Sequence, residues 1–262
     1  MSKRKLTRRQ AWRVEKIQEE KAARVQKKES GISTLLQAGE LGAETAGRVI
    51  AHFGSLVEIE ATQGELQGQR YRCHLRANLG SLVTGDNVVF RPGPEVNGVH
   101  SGVVEMVQER QSELSRPNPY NEIKPVAANI DFIVLVIAPE PEAHANLIDR
   151  YLVAAENCGI EPIILLNKTD LINDSNRDHF IKMLHSYEQL GYRTLRVCSQ
   201  DDSSLGELKE FLNGRTSVFV GQSGVGKSSL IGTLLPGEEL KVGSLSENTR
   251  KGKHTTTTAR LY

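Results

Sequence analysis

Two short motifs stand in an order that restricts the fold of this chain more than any other feature. Gly221-Gln222-Ser223-Gly224-Val225-Gly226-Lys227-Ser228 fits the phosphate-loop pattern G-x-x-x-x-G-K-[ST]. Asn167-Lys168-Thr169-Asp170 fits N-K-x-D, and it comes about fifty residues earlier. Arg215 to Val220 is a β-branched run that predicts a buried parallel strand leading into the phosphate loop. Ser228 to Leu235 predicts a helix leaving it, with Gly237 after Pro236 suited to its end. Glycines allow the backbone to turn and aim N–H groups at phosphate oxygens, and the positive helix N-terminus faces the same anion. Lys227 is positioned to reach β- and γ-phosphates, and the Ser228 hydroxyl to ligate magnesium. Ser229 completes the loop as its last nucleotide-binding candidate.

N-K-x-D by itself is a weak match, but Pro162 to Leu166 predicts a strand running straight into Asn167. Ligand residues in open parallel sheets sit at such carboxyl ends. Asp170 can accept from both the ring N–H and the exocyclic amine of guanine, whereas adenine offers neither in that arrangement. Asn167 can brace the loop and the Lys168 stem can lie over the base. The two motifs together imply GTP or GDP as ligand. Their reversed order implies a circularly permuted GTPase.

The rest of the second half fits that reading. Ile130–Ala138 predicts a buried strand, Asn146–Cys158 a helix stopped by Gly159, and 176–190 a second helix. Arg193–Val197 predicts a strand and Ser203–Leu212 a helix. Strands alternating with helices predict a parallel sheet covered on both faces. Permutation preserves such a sheet, because strands keep their neighbours and only the chain ends move. Beyond the phosphate-loop helix, Val242 to Thr258 is rich in Gly, Ser, Lys and Thr, at the distance expected of a first switch. One of Thr255 to Thr258 is expected to ligate magnesium and sense the γ-phosphate, with Thr257 as the candidate.

Upstream, residues 44–111 change character. Short alternating runs at Arg48–Phe53, Leu56–Ala61, Tyr71–Arg76, Asn87–Arg91 and His100–Val107, with glycine turns, predict a small all-β barrel of the oligonucleotide-binding (OB) type. Arg70, Arg72, Arg76 and Arg91 are candidates to line a nucleic-acid face. Residues 112–128, with Pro117, Pro119 and Pro125, are expected to be a linker into a GTPase domain over 129–262.

The net charge of +1 hides an uneven distribution. Residues 1–29 hold eleven Lys/Arg against four Glu, so this end carries +7 and the remainder −6. Its apolar residues, Trp12, Val14, Ile17 and Val25, make no wide stripe, which excludes a core helix. Residues 1–43 therefore read as a basic arm and linker, either a solvated tail or an arm that orders on RNA. No run approaches the roughly 20 apolar residues of a membrane span. Cys73, Cys158 and Cys198 are too scattered for a disulfide framework or a zinc pattern, which suits the cytoplasm.

The chain resembles the RsgA/YjeQ family of bacterial GTPases that act in maturation of the small ribosomal subunit. The resemblance rests on N-K-T-D at 167–170, G-Q-S-G-V-G-K-S-S at 221–229 and Gly252-Lys253-His254-Thr255-Thr256-Thr257, supported by the barrel and by Ala127–Asp131. It implies a ribosome-stimulated GTPase that binds 16S-type rRNA in the small subunit as a monomer. It further implies His254 as the group that positions the attacking water. The sequence stops at Tyr262, ahead of the D-x-P-G motif and the zinc-binding domain that the resemblance implies, so hydrolysis by this stretch is expected to be impaired. Where the family supports the base with Ser-Ala, this chain reads Cys198-Ser199-Gln200. Competing readings are an RNA-binding module with a nucleotide site and little turnover, and a GTPase of tRNA modification or signalling, which the permuted order disfavours.

Overall fold

The computed structural model describes residues 41–53, 56–76, 78–96, 98–117, 122–236 and 260–262. The basic arm, the Gly237 helix stop, Pro119 and the switch segment with His254 and Thr257 lie outside the described residues. Two compact units divide between Arg110 and Gln111, and Arg260 and Leu261 belong with the first.

The first unit is built from β1 (Thr45–Phe53), β2 (Leu56–Ala61), β3 (Arg70–Leu75), β4 (Asn87–Val96) and β5 (Val99–Val107), closed in the order β1-β2-β3-β5-β4. The β3–β5 pairing is parallel and the other four are antiparallel, which is the OB arrangement. Alternation explains the closure. Val57 and Ile59 of β2, Tyr71 and Cys73 of β3, and Phe90 of β4 all point into one buried core. Closure also needs a residue without a side chain: a Cβ on Gly47 would lie 2.5 Å from Ile59 and 2.9 Å from Phe90. At the base of the barrel the fully buried Asp86 takes Arg110 Nε at 2.7 Å and Nη2 at 3.0 Å, and also accepts from Val83 N. Such bidentate pairing offsets the desolvation of a buried carboxylate. Beyond the strands, Leu261 N donates to Ile50 O of β1 and Arg260 pairs with Glu58 of β2.

The barrel arginines differ from a bare cationic stripe. Arg70 pairs with Glu60, Arg76 with Glu105, and Arg91 with both Glu44 and Glu105. Glu60 sits opposite Arg70 on the neighbouring strand, and Glu44 and Glu105 reach the other arginines, so this face is mixed in sign.

The second unit opens with a hairpin, β6 (Glu113–Pro117) against β7 (Ile123–Ala128). The prolines had suggested a linker here. Leu114 and Ala127 instead pack against Ile130, Ile133 and Ile160, so the stretch belongs to the core of this unit. Then follow β8 (Phe132–Ile137), α1 (Ala145–Asn157), β9 (Glu161–Leu166), α2 (Arg177–Gln189), β10 (Arg193–Arg196), α3 (Gly206–Leu212), β11 (Ser217–Val220) and α4 (Lys227–Leu234). The sheet is parallel, in the order β10-β9-β8-β11. The last strand in sequence thus lies beside the first, as permutation requires. Strands β8 and β9 are almost continuously apolar because both faces are covered. Ile148 of α1 and Phe180 of α2 pack on one side, Leu208 of α3 and Leu230 of α4 on the other. No helix among the described residues is long and apolar enough to cross a membrane.

Candidate nucleotide site

Four loops leave the carboxyl edge of this sheet, and both motifs lie on them. The phosphate loop follows β11 and enters α4. Glycine is required at its two ends by contact as well as by conformation. Gly221 has φ 138°, and a Cβ there would lie 2.2 Å from Val136 O on β8. Gly226 has φ 91°, and a Cβ there would lie 2.5 Å from Asn167 Nδ2. The backbone turn is therefore held against its neighbours in the left-handed region that L side chains avoid. Lys227 Nζ donates to Gly221 O at 2.9 Å and Gln222 O at 2.5 Å, inside the turn of its own loop. Burial pushes this ammonium below the ordinary lysine range. An anion beside it would work in the opposite direction. Ser228 and Ser229 are exposed on the first turn of α4, where backbone N–H groups are free of intrahelical partners.

The N-K-x-D loop follows β9. Asn167 is fully buried and makes two contacts across the sheet edge. Its Nδ2 donates to Val225 O at 2.9 Å in the phosphate loop, and its Oδ1 accepts from Ser199 N at 3.2 Å in the loop after β10. A buried amide satisfied at both ends sets the spacing of three loops at once. Lys168 has φ 59°, unusual for a residue with a side chain, and its ammonium donates to Gly224 O at 2.7 Å and Glu140 O at 2.9 Å. Its stem thus runs along the site toward the phosphate loop. Thr169 starts a single 3-10 turn, Thr169–Leu171, tied by its N–H to Val197 O at 3.3 Å. That turn carries Asp170 to an exposed position.

Cys198 Sγ lies 3.1 Å from Asp170 Oδ1. The second carboxylate oxygen has no hydrogen bond among the described residues. A thiol is a weaker donor than a hydroxyl, so its hold on the carboxylate is weak. Sequence reading singled out this loop but not the contact, because the two residues are 28 apart and meet only through adjacent strands. The arrangement can hold an anion at the α4 end and present a carboxylate to two N–H donors at the β9 end.

Magnesium fits the residues present. Ser228 offers a hard hydroxyl oxygen, exposed on the first turn of α4. Among the described residues no cluster of His, Cys, Asp and Glu could hold zinc.

Comparison with known proteins agrees with this architecture. The profile described as RsgA GTPase matches residues 107–262. A small ribosomal subunit biogenesis GTPase RsgA from Azotobacter vinelandii is 58% identical over 262 residues, covering 100% of this chain and 75% of the relative. The protein of the same description from Ectopseudomonas mendocina is also 58% identical, with the same coverage. Among solved structures, YjeQ from Thermotoga maritima aligns with TM-score 0.62 at 32% identity, covering 75% of this chain and 66% of that one. YloQ, described as a circularly permuted GTPase, aligns with TM-score 0.58 at 31% identity, covering 72% and 63%.

Proposed function

This chain belongs to the RsgA GTPase family, and we propose that it binds GTP with magnesium at the carboxyl edge of its parallel sheet and acts in late maturation of the small ribosomal subunit. One observation carries the nucleotide reading. Asn167, buried, donates to Val225 O and accepts from Ser199 N, which supports reading the two motifs, about fifty residues apart, as one site. Residues 221–229 would cradle the phosphates, with Lys227 on the β- and γ-oxygens. Asn167 to Asp170 would hold the base, Asp170 reading the guanine N–H donors. Ser228 and Thr257 would hold magnesium, whose chemistry is to neutralise charge on the phosphate oxygens. His254 would orient the attacking water.

The partner reading draws on the names of the relatives, on the OB barrel and on the +7 arm. The chain would bind 16S-type rRNA in the cytoplasm as a monomer and leave the subunit after hydrolysis. The Arg70–Glu60 pair, on the exposed side of the barrel, is compatible with this role. Such pairs contribute about 0–1 kcal/mol, so an RNA phosphate can replace the glutamate at little cost. The test is GTP turnover by this protein with and without purified small ribosomal subunits, alongside subunit binding across a salt series. Subunit-stimulated turnover and a steep salt slope are expected. Salt-sensitive binding without turnover would favour an RNA-binding module over an enzyme, and turnover indifferent to subunits would overturn the ribosomal assignment.

A further inference from the structure

Thr233 lies on α4, six residues beyond Lys227, and no motif includes it. Its hydroxyl faces two carbonyls, Ser229 O at 3.0 Å one turn back and Ser199 O at 3.1 Å in the loop after β10. The first contact is ordinary for a threonine inside a helix. The second is not local, because it joins the phosphate-loop helix to the loop that touches Asp170.

We propose that Thr233 is a positioning residue for guanine selectivity, which fixes the Cys198–Gln200 loop from the helix that carries the phosphate site. The proposal rests on the reading of Asp170 as the base-recognition group. The loop is short and held at few points. Ser204 Oγ accepts from Cys198 N at 2.9 Å, Asn167 Oδ1 from Ser199 N at 3.2 Å, and Thr233 holds Ser199 O. A peptide unit is planar, so fixing the Ser199 carbonyl also fixes the following N–H of Gln200, which points the opposite way. That N–H makes no hydrogen bond among the described residues. Guanine carries a carbonyl next to the ring N–H, where adenine carries an amine. A fixed backbone N–H in the loop that touches Asp170 through Cys198 would favour the first and reject the second. Movement of the loop would also carry Cys198 away from Asp170 Oδ1 and free the carboxylate to rotate. Thr233 therefore makes base recognition depend on the position of α4, the element that phosphate binding organises.

The experiment compares the parent protein with Thr233→Val, which keeps the shape and loses the donor, and with Thr233→Ser, which keeps the donor. Each is titrated with GDP, ADP and inorganic pyrophosphate in the presence of magnesium. Thr233→Val is expected to lose GDP affinity about three- to tenfold, the scale of one hydrogen bond. Pyrophosphate affinity should stay unchanged, the preference for GDP over ADP should shrink, and Thr233→Ser should restore both. Equal losses for GDP and pyrophosphate would overturn the proposal, because they would mark general damage to α4. Unchanged GDP affinity in Thr233→Val would overturn it as well. A parent protein with no preference for GDP over ADP would overturn the base-site reading and this proposal together.

Discussion

The two halves of the candidate site are made in different ways. The phosphate half is one contiguous stretch, Gly221–Ser229, in which Lys227 Nζ closes on the carbonyls of Gly221 and Gln222 while Asn167 and Lys168 donate to it from the N-K-x-D loop. The base half is assembled from separate loops: Asp170 after β9, Cys198 and Ser199 after β10, and Thr233 reaching across from α4. Asn167 and Gly226 form the joint, with the amide nitrogen where a Gly226 side chain would have to stand. A contiguous loop is robust to changes elsewhere in the sheet. An assembled one inherits every shift of the strands that carry it.

The largest effect should come from the phosphate half. Lys227→Ala would remove the cation proposed on the β- and γ-phosphates, each charge-assisted bond being worth about 1.5–3 kcal/mol, so GTP and pyrophosphate affinity should both fall by about a hundredfold or more. Isothermal titration with the two ligands checks this. Retained pyrophosphate binding would remove the lysine from the phosphate half.

Gly226→Ala tests the joint. The left-handed φ costs about 1–3 kcal/mol for a residue with a side chain, and the new methyl must displace Asn167. Both halves should weaken, with GDP falling further than pyrophosphate. A loss confined to pyrophosphate-type contacts would mean that the halves are independent.

Asp170→Asn should act on the base half alone. Loss of a charge-assisted pair lowers GTP affinity by about tenfold or more, while an amide gains affinity for a xanthosine nucleotide, which has a carbonyl in place of the amine. Pyrophosphate should bind as before. Unchanged GTP affinity with no response to xanthosine nucleotides would place the base elsewhere.

The smallest effect concerns pH. Burial lowers the pKa of Lys227, and the protonated form is the one that holds an anion. Pyrophosphate affinity, measured without a titrating base, should therefore decline as pH rises through a range below that of a free lysine. A flat profile up to the ordinary lysine range would show that the ammonium is better solvated than its burial implies.

The permuted sheet and the barrel were both legible from patterning. The apolar runs of β8 and β9 and the alternation of β2 and β3 differ in period, and that period decides whether one face or two are buried. The hairpin of β6 and β7 was not legible. Pro117 and Pro125 break the strand signal, and pairing there depends on the apolar floor that Ile130 and Ile133 provide. The barrel arginines suggested a cationic face because pattern reading sees each charge alone. Their glutamate partners come from other strands or distant positions.

By itself, the amino-acid order determined the phosphate loop, the permutation and the existence of two units. The permutation follows from the order of the two motifs, and the loop and the units from local conformational limits on glycine and the period of apolar residues, which act over a few neighbours. Tertiary structure alone decided that Cys198 meets Asp170, that Asn167 spans the phosphate loop and Ser199, and that Thr233 reaches Ser199. Each of those contacts joins loops brought together by parallel strand pairing at one sheet edge. Their distance in space is set by strand order and register, which no local stretch of sequence encodes.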